Sequence, residues 1–205
     1  MSRKLLSYFG LAGALTLGAC SDVPTDAGEL EARRAPAPSA TSIAEIAIGA
    51  GFTELVGALQ YVDAELDAGL VNLFLNGTDQ YTVFAPTNQA FENLYGLLTA
   101  VLGAPITKIE DVPAPVVLAV LQYHVTTGRR AANSVVPPRM DRTIETLLGE
   151  SFAVRSNGTI RDGLTPLGAR DDAAITGPDN SARNGIVHII DQVIVPPSIV
   201  AALTN

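Results

Sequence analysis

Residues 184–197 read NGIVHIIDQVIVPP. The run opens at a turn signal and closes on two prolines. It is apolar on both alternating sets, with Ile186, Ile190 and Ile194 on one and Val187, Ile189, Val193 and Val195 on the other. A strand with one wet face alternates between apolar and polar residues, whereas this one reads as a strand buried on both sides. Any fold containing it must supply cover for both faces. With 47% apolar residues the chain can build that cover, although it has no tryptophan and six Phe. A folded part of about 160 residues buries roughly 70% of the surface its unfolded chain exposes.

A second stretch, YTVFAPTNQAF at 81–91, changes character halfway. Tyr81 to Phe84 are β-branched and aromatic, as strands prefer. Pro86 cannot donate to a ladder and ends the strand. Thr87 is placed to cap a helix, and Phe91, Leu94, Leu98 and Val101 form its apolar stripe up to Gly103. The stretch is a strand-to-helix joint with Phe84 and Phe91 buried on either side. Upstream, Ser42-Ile43-Ala44-Glu45 fits a capping box. Leu55, Val56, Leu59 and Val62 follow Thr53, a candidate N-cap, and Leu66, Leu70, Leu73 and Phe74 add further turns ending at Asn76-Gly77. Downstream, a helix is expected from about Pro115 to Val125, with Val117, Leu121 and His124 on one apolar face. A turn is expected over Thr143 to Leu148, and a hairpin around Asn157-Gly158.

The first twenty residues, MSRKLLSYFGLAGALTLGAC, pair a basic start with a 15-residue, largely apolar run from Leu5 to Ala19. That is the pattern of a secretory signal, short of the ~20 apolar residues of a membrane-spanning helix. Leu17-Gly18-Ala19-Cys20 resembles the lipobox of bacterial lipoproteins, and Cys20 is the only cysteine of the chain. The resemblance implies removal of residues 1–19, acylation of Cys20, and a membrane partner through that anchor. Several acyl chains hold a protein durably where one does not. Ser21 follows the cysteine, which by the same resemblance favours an outer membrane in a Gram-negative cell. Residues 21–40, rich in Pro, Ala, Ser and charge, read as a tether reaching at most ~65 Å. Without Arg3 and Lys4 the mature chain keeps 11 basic against 21 acidic residues, a net −10. Such a field does not attract nucleic acid or anionic lipid.

Three segments together resemble a fasciclin domain over residues 41–200: YTVFAPTNQAF, LQYHVTTG at 121–128, and NGIVHIIDQVIVPP. The resemblance implies an α+β fold, a wedge of β-strands with several packed helices, and a five-residue tail at 201–205. It marks as motif residues Thr82, Phe84, Pro86, Thr87, Asn88, Phe91, Tyr123, His124, Asn184, Gly185, His188, Asp191 and Pro196. One departure is visible. The first segment has Asn88-Gln89 after the threonine, where an acidic or small second residue is usual, so this side of the motif carries no charge. By resemblance the function is adhesion or matrix contact, with a surface protein or polysaccharide as the ligand.

No hydrolase elbow, zinc-protease helix or phosphate loop is present. The histidines are His124 and His188 alone. His188 and Asp191, three apart on a strand, point to opposite faces and do not converge on a metal. Each histidine reads instead as a hydrogen-bonded core residue, and Asp191 must find donors because a buried unpaired carboxylate is costly. Neither a cofactor nor catalysis is expected. The competing reading is an envelope small-ligand receptor or enzyme with a pocket near His124 and His188. Tyr61, Tyr95 and Tyr123 read as core or rim, with adhesion as their alternative.

Overall fold

A computed structural model describes residues 36–164 and 172–204, all within one compact unit spanning 33–205. The signal-like segment, Cys20 and the tether up to residue 35 lie outside the described residues.

Three helices come first: α1 (Ile43–Gly49), α2 (Thr53–Leu66) and α3 (Leu70–Asn76). The capping box forms as read, Ser42 Oγ accepting from Glu45 N and Glu45 Oε2 from Ser42 N. Those bonds hold the Glu45 carboxyl below the usual carboxylate range. Thr53 is not the cap of α2. Phe52 holds that position without a side-chain bond, and Asn88 supplies the oxygen instead, its Oδ1 accepting from Glu54 N at 3.1 Å. α3 is capped from a distance as well, by Asp63 accepting from Leu70 N and Val71 N.

β1 (Tyr81–Pro86) then leads into α4 (Asn88–Leu102), capped by Thr87 and stopped at Gly103 with φ 66°. After a short 3-10 turn, Ile109–Asp111, α5 runs Ala114–Tyr123. It is shorter than expected: Val125 already belongs to β2 (Val125–Thr127), paired with Val83 of β1. α6 (Ala132–Val135) follows, then β3 (Arg142–Glu145), β4 (Ser151–Val154), β5 (Thr159–Arg161), β6 (Ala173–Ala182), β7 (Gly185–Ile190) and α7 (Pro197–Thr204). Of the expected turn over Thr143 to Leu148, Leu147 and Leu148 do turn, while Thr143 to Glu145 belong to a strand. Ile144 is its one buried side chain, too few to show alternation, and pairing with Phe152 fixes it. The expected tail is helical through Thr204.

The seven strands make one sheet in the order β2-β1-β7-β6-β5-β4-β3. Only β1 and β7 run parallel. Each has five of its six residues buried, as cover on both faces requires. Val83, Ala85 and Val187 face a core built with α1 to α5, while Phe84 and Ile190 face a second core of Tyr123, Ile144, Phe152, Val154 and Ile160. Strands β3 to β5 can fold over that second face because β6 is irregular, with register shifts on both sides of Gly177. Gly177-Pro178 in its middle is also why β6 does not read as a strand. The long apolar run splits at Ile190. Beyond it the backbone bonds to side chains, Ile194 N to His124 and Val195 N to Asp162.

Candidate functional site

The motif residues line one seam, where β1 and β7 meet α1, α4, α5 and the segment after β2. Thr82 is fully buried, its hydroxyl donating to Gly128 O at 2.7 Å and accepting from Arg130 N at 2.8 Å. Phe84 packs edge-on against Phe152, centroids 5.0 Å apart, and tilted against His188 at 5.5 Å. Pro86 pairs with Ile190 as the last strand residue, and Thr87 N takes the Ile190 carbonyl. Asn88 ties two helices together, its amide also donating to Gly51 O at 2.9 Å. Phe91 is buried in the first core. The Tyr123 hydroxyl donates to Ser151 O at 2.9 Å, and burial, helped by the negative charges of Asp162 and Glu150, pushes that phenol above its ordinary range.

Asn184 is a buried clamp. Its Oδ1 accepts from Ile43 N and its Nδ2 donates to Phe74 O, both at 2.9 Å, so α1 and α3 hang on one side chain. At Gly185 a Cβ would come within 2.0 Å of Tyr81 O, which leaves room for glycine alone where β7 starts against β1. Asp191 Oδ1 accepts from Ala174 N at 2.7 Å. Pro196 is buried, and its carbonyl accepts from Ile199 N and Val200 N at the start of α7.

The two histidines carry opposite tautomers. His124 Nε2 accepts from Ile194 N at 3.1 Å, which leaves the proton on Nδ1, 2.7 Å from Val120 O. His188 Nδ1 accepts from Asp179 N at 3.2 Å, which places its proton on Nε2, 2.9 Å from Arg130 O. Burial holds the His188 pKa below its ordinary value, against the opposing pull of the Arg130 carbonyl and of Asp179. The rings bond to different backbone segments, and His188 and Asp191 share no partner among these bonds. Among the described residues, no three of His, Cys, Asp and Glu converge as a metal-holding group.

Sequence reasoning missed Arg129. Its half-buried guanidinium donates to Gly185 O at 2.6 Å, Ala182 O at 2.7 Å and Pro36 O at 2.9 Å, and burial lowers its pKa. It fastens the start of the domain to the β6–β7 turn. The only local signal is its place directly after LQYHVTTG, because its acceptors lie 49 or more residues away in sequence.

A second place is different in kind. α4, α5 and α7 enclose a cavity of about 340 Å³ whose wall is almost wholly apolar. Phe91, Leu94, Leu98 and Val101 of the α4 stripe all face it, as do Val117, Leu121 and His124 of α5. His188 is not on its wall. Tyr95, buried beside it in the core, donates to Glu54 at 2.7 Å, and Tyr61 donates to Val112 O.

Residues 50–196 match the fasciclin domain family. The protein sll1483 of Synechocystis is 30% identical over 201 residues, covering 96% of this chain and 98% of its own. The cell surface glycolipoprotein MPB83 of Mycobacterium bovis is 34% identical over 139 residues, 64% of this chain and 50% of its own. The transforming growth factor-beta-induced protein ig-h3 of Sus scrofa is 30% identical over 146 residues, 71% of this chain and 19% of its own. The chain therefore spans half of the mycobacterial protein and about a fifth of the porcine one. Among solved structures, a FAS1 domain pair from the insect cell adhesion molecule Fasciclin I aligns with a TM-score of 0.45 and 20% identity, over 69% of this chain and 45% of that one.

Proposed function

Because this chain belongs to the fasciclin family, a family of cell-surface and extracellular adhesion and binding modules, we propose that it is a lipid-anchored binding domain of a bacterial cell envelope. Cys20 is its acylated residue, residues 21–40 hold the domain clear of the membrane, and surface proteins or polysaccharides are its partners. The observation that carries the reading is the state of the motif residues. The side-chain polar groups of Thr82, Asn88, Tyr123, His124, Asn184, His188 and Asp191 are all bonded to backbone inside the fold. They hold the fold together and offer no reacting group to a substrate. The name of MPB83 as a cell surface glycolipoprotein supports the anchor, and the Leu17-Gly18-Ala19-Cys20 sequence supplies its attachment point.

An enzyme or receptor working through a pocket shared by both histidines has less support, since His124 borders the large cavity and His188 does not.

Labelling cells with an alkyne-tagged fatty acid tests the anchor. Incorporation and membrane fractionation are expected in the native protein and lost in Cys20→Ala. The adhesion half is tested by immobilising the Cys20→Ser chain and exposing it to envelope proteins and surface polysaccharides of its own organism across a salt series. Retention that fades with salt identifies the acidic surface as the contact. Failure to retain anything at low salt overturns adhesion.

A further inference from the structure

The proposed adhesion leaves the cavity between α4, α5 and α7 without a role. Its exposed lining residues sit together at one end. Val101 and Leu102, 51% and 48% exposed, close α4, while Asp111 and Pro113 lead into α5. Its deep end holds Phe91 near the start of α4 and Leu121 and His124 at the end of α5. The two helices therefore run along its length from mouth to floor. Eleven residue steps separate Phe91 from Leu102 and Pro113 from His124, which makes the slot ~16 Å long at helical rise.

Its chemistry is selective because it is so limited. Among the described residues of the walls, His124 alone brings a polar side chain to the floor, and both of its ring nitrogens are bonded, one to Val120 O and the other to Ile194 N. Asp111 stands at the rim with its carboxylate turned to Thr107 and Lys108 N. Among the described residues, a ligand entering the slot finds no side chain inside it with a free hydrogen-bonding group. A sugar, peptide or nucleotide would leave its polar groups unpaired. A hydrocarbon leaves nothing unpaired.

Size narrows the choice further. A volume of 340 Å³ lies in the range of small-molecule sites, about 300–1,000 Å³. If a methylene is taken as about as large as a water's ~30 Å³ share of liquid, the slot admits on the order of eleven. One leaflet of a bilayer's ~30 Å hydrocarbon core is ~15 Å deep, the length of the slot. The volume points to one unbranched chain of about a dozen carbons, and a slot as long as a leaflet is deep can hold it extended.

We infer that this cavity binds the hydrocarbon tail of a single-chain lipid, taken up as a monomer, with its head left at the rim near Lys108 and Asp111. The rim carries Lys108 beside Glu110 and Asp111, so it offers no net positive charge. The tail, and not the head, is what the site reads.

The test is calorimetric titration of the full chain carrying Cys20→Ser, which leaves the described residues untouched. The probes are hexanoate, decanoate and dodecanoate below their micellar concentrations, and dodecanol below its solubility limit. Saturable one-to-one binding is expected for dodecanoate and dodecanol alike, strengthening with chain length from hexanoate upward. Val116→Phe, which fills the slot, should weaken it at least about tenfold. Val101→Glu places a charge at an exposed position of the mouth and should weaken it similarly, with no demand on folding. Ile48→Ser, which removes an exposed apolar side chain of α1, should leave it unchanged. Absence of saturable binding overturns the inference, and so does binding that Val116→Phe and Val101→Glu leave intact. Flotation of the protein with two-chain phospholipid vesicles in place of monomer uptake would assign the slot to a bilayer surface. A concentration-dependent dimer broken by Val101→Glu would assign it to a second copy. Either result displaces the single-chain lipid.

Discussion

The seam between β1 and β7 and the cavity between α4, α5 and α7 lie side by side in the same domain, and they solve opposite problems. In the seam, polar side chains are buried and every motif polar group has a backbone partner. In the cavity, polar side chains are nearly absent and space is left over. His124 belongs to both: its ring nitrogens are part of the seam's bonding and its ring is part of the cavity's floor. A site sealed by hydrogen bonds has no freedom to bind anything, whereas a site short of atoms does. The motif residues are bonded into the joint of the fold, and unfilled apolar space lies next to them.

If that contrast is right, truncating the seam is costly. Asn184→Ala should have the largest effect. It strands Ile43 N–H and Phe74 C=O, both buried, at about 1–3 kcal/mol each, so a loss of about 4 kcal/mol is expected in urea unfolding. Thr82→Val keeps the shape and removes a hydroxyl that serves Gly128 O and Arg130 N, for an expected loss of about 2 kcal/mol. Enlargement is also resisted here. Val154 is fully buried in the second core, and Val154→Leu should cost about 1–2 kcal/mol through overpacking. An Asn184→Ala variant as stable as the native chain would break the contrast at its strongest point.

His188 gives a smaller and conditional effect. Burial puts its folded pKa below 6.5, so as pH falls through 6.5 the unfolded chain takes up the proton first. Its contribution is complete above that value and is lost as pH falls from 6.5 toward the folded pKa. The midpoint of urea unfolding should decline over that window in the native protein. In His188→Gln, which has no titrating ring, that part of the decline should vanish. An unchanged slope would mean that the ring is protonated without penalty, and the fixed tautomer drawn from Asp179 N and Arg130 O would be wrong.

The seam was legible in sequence because its logic is local and periodic. NGIVHIIDQVIVPP shows its two apolar faces directly, and Thr87 caps α4 at the position where it reads as a cap. Asn88 and Thr53 show the limit. Thr53 looks like the cap of α2, yet the capping oxygen comes from Asn88, 34 residues away. Arg129 and Asp63 are the same kind of case: side chains whose partners the fold supplies. β6 was hidden because Gly177-Pro178 interrupts any alternation, while its irregularity is what lets the sheet fold over Phe84. The cavity was half visible. Phe91, Leu94, Leu98 and Val101 read as a helix stripe seeking cover. Periodicity can show that a stripe is apolar, but it cannot show that the covering elements stop short of filling the space.

The smallest effect is expected in the cavity itself, and it discriminates best. Val116→Leu adds one methylene to a wall that faces open volume. No rotamer has to be displaced, and the added group leaves water, for a gain between zero and ~0.8 kcal/mol. The same enlargement at Val154 is a loss, because that core has no room. Measured side by side in one urea series, the two substitutions differ in sign although their chemistry is identical. A loss at Val116 equal to that at Val154 would mean that α7 closes on α4 and α5 in solution and the slot is not standing open. A neutral or favourable Val116→Leu means that the chain keeps unfilled apolar space beside a joint whose every polar group is bonded, a cost that folding alone does not require.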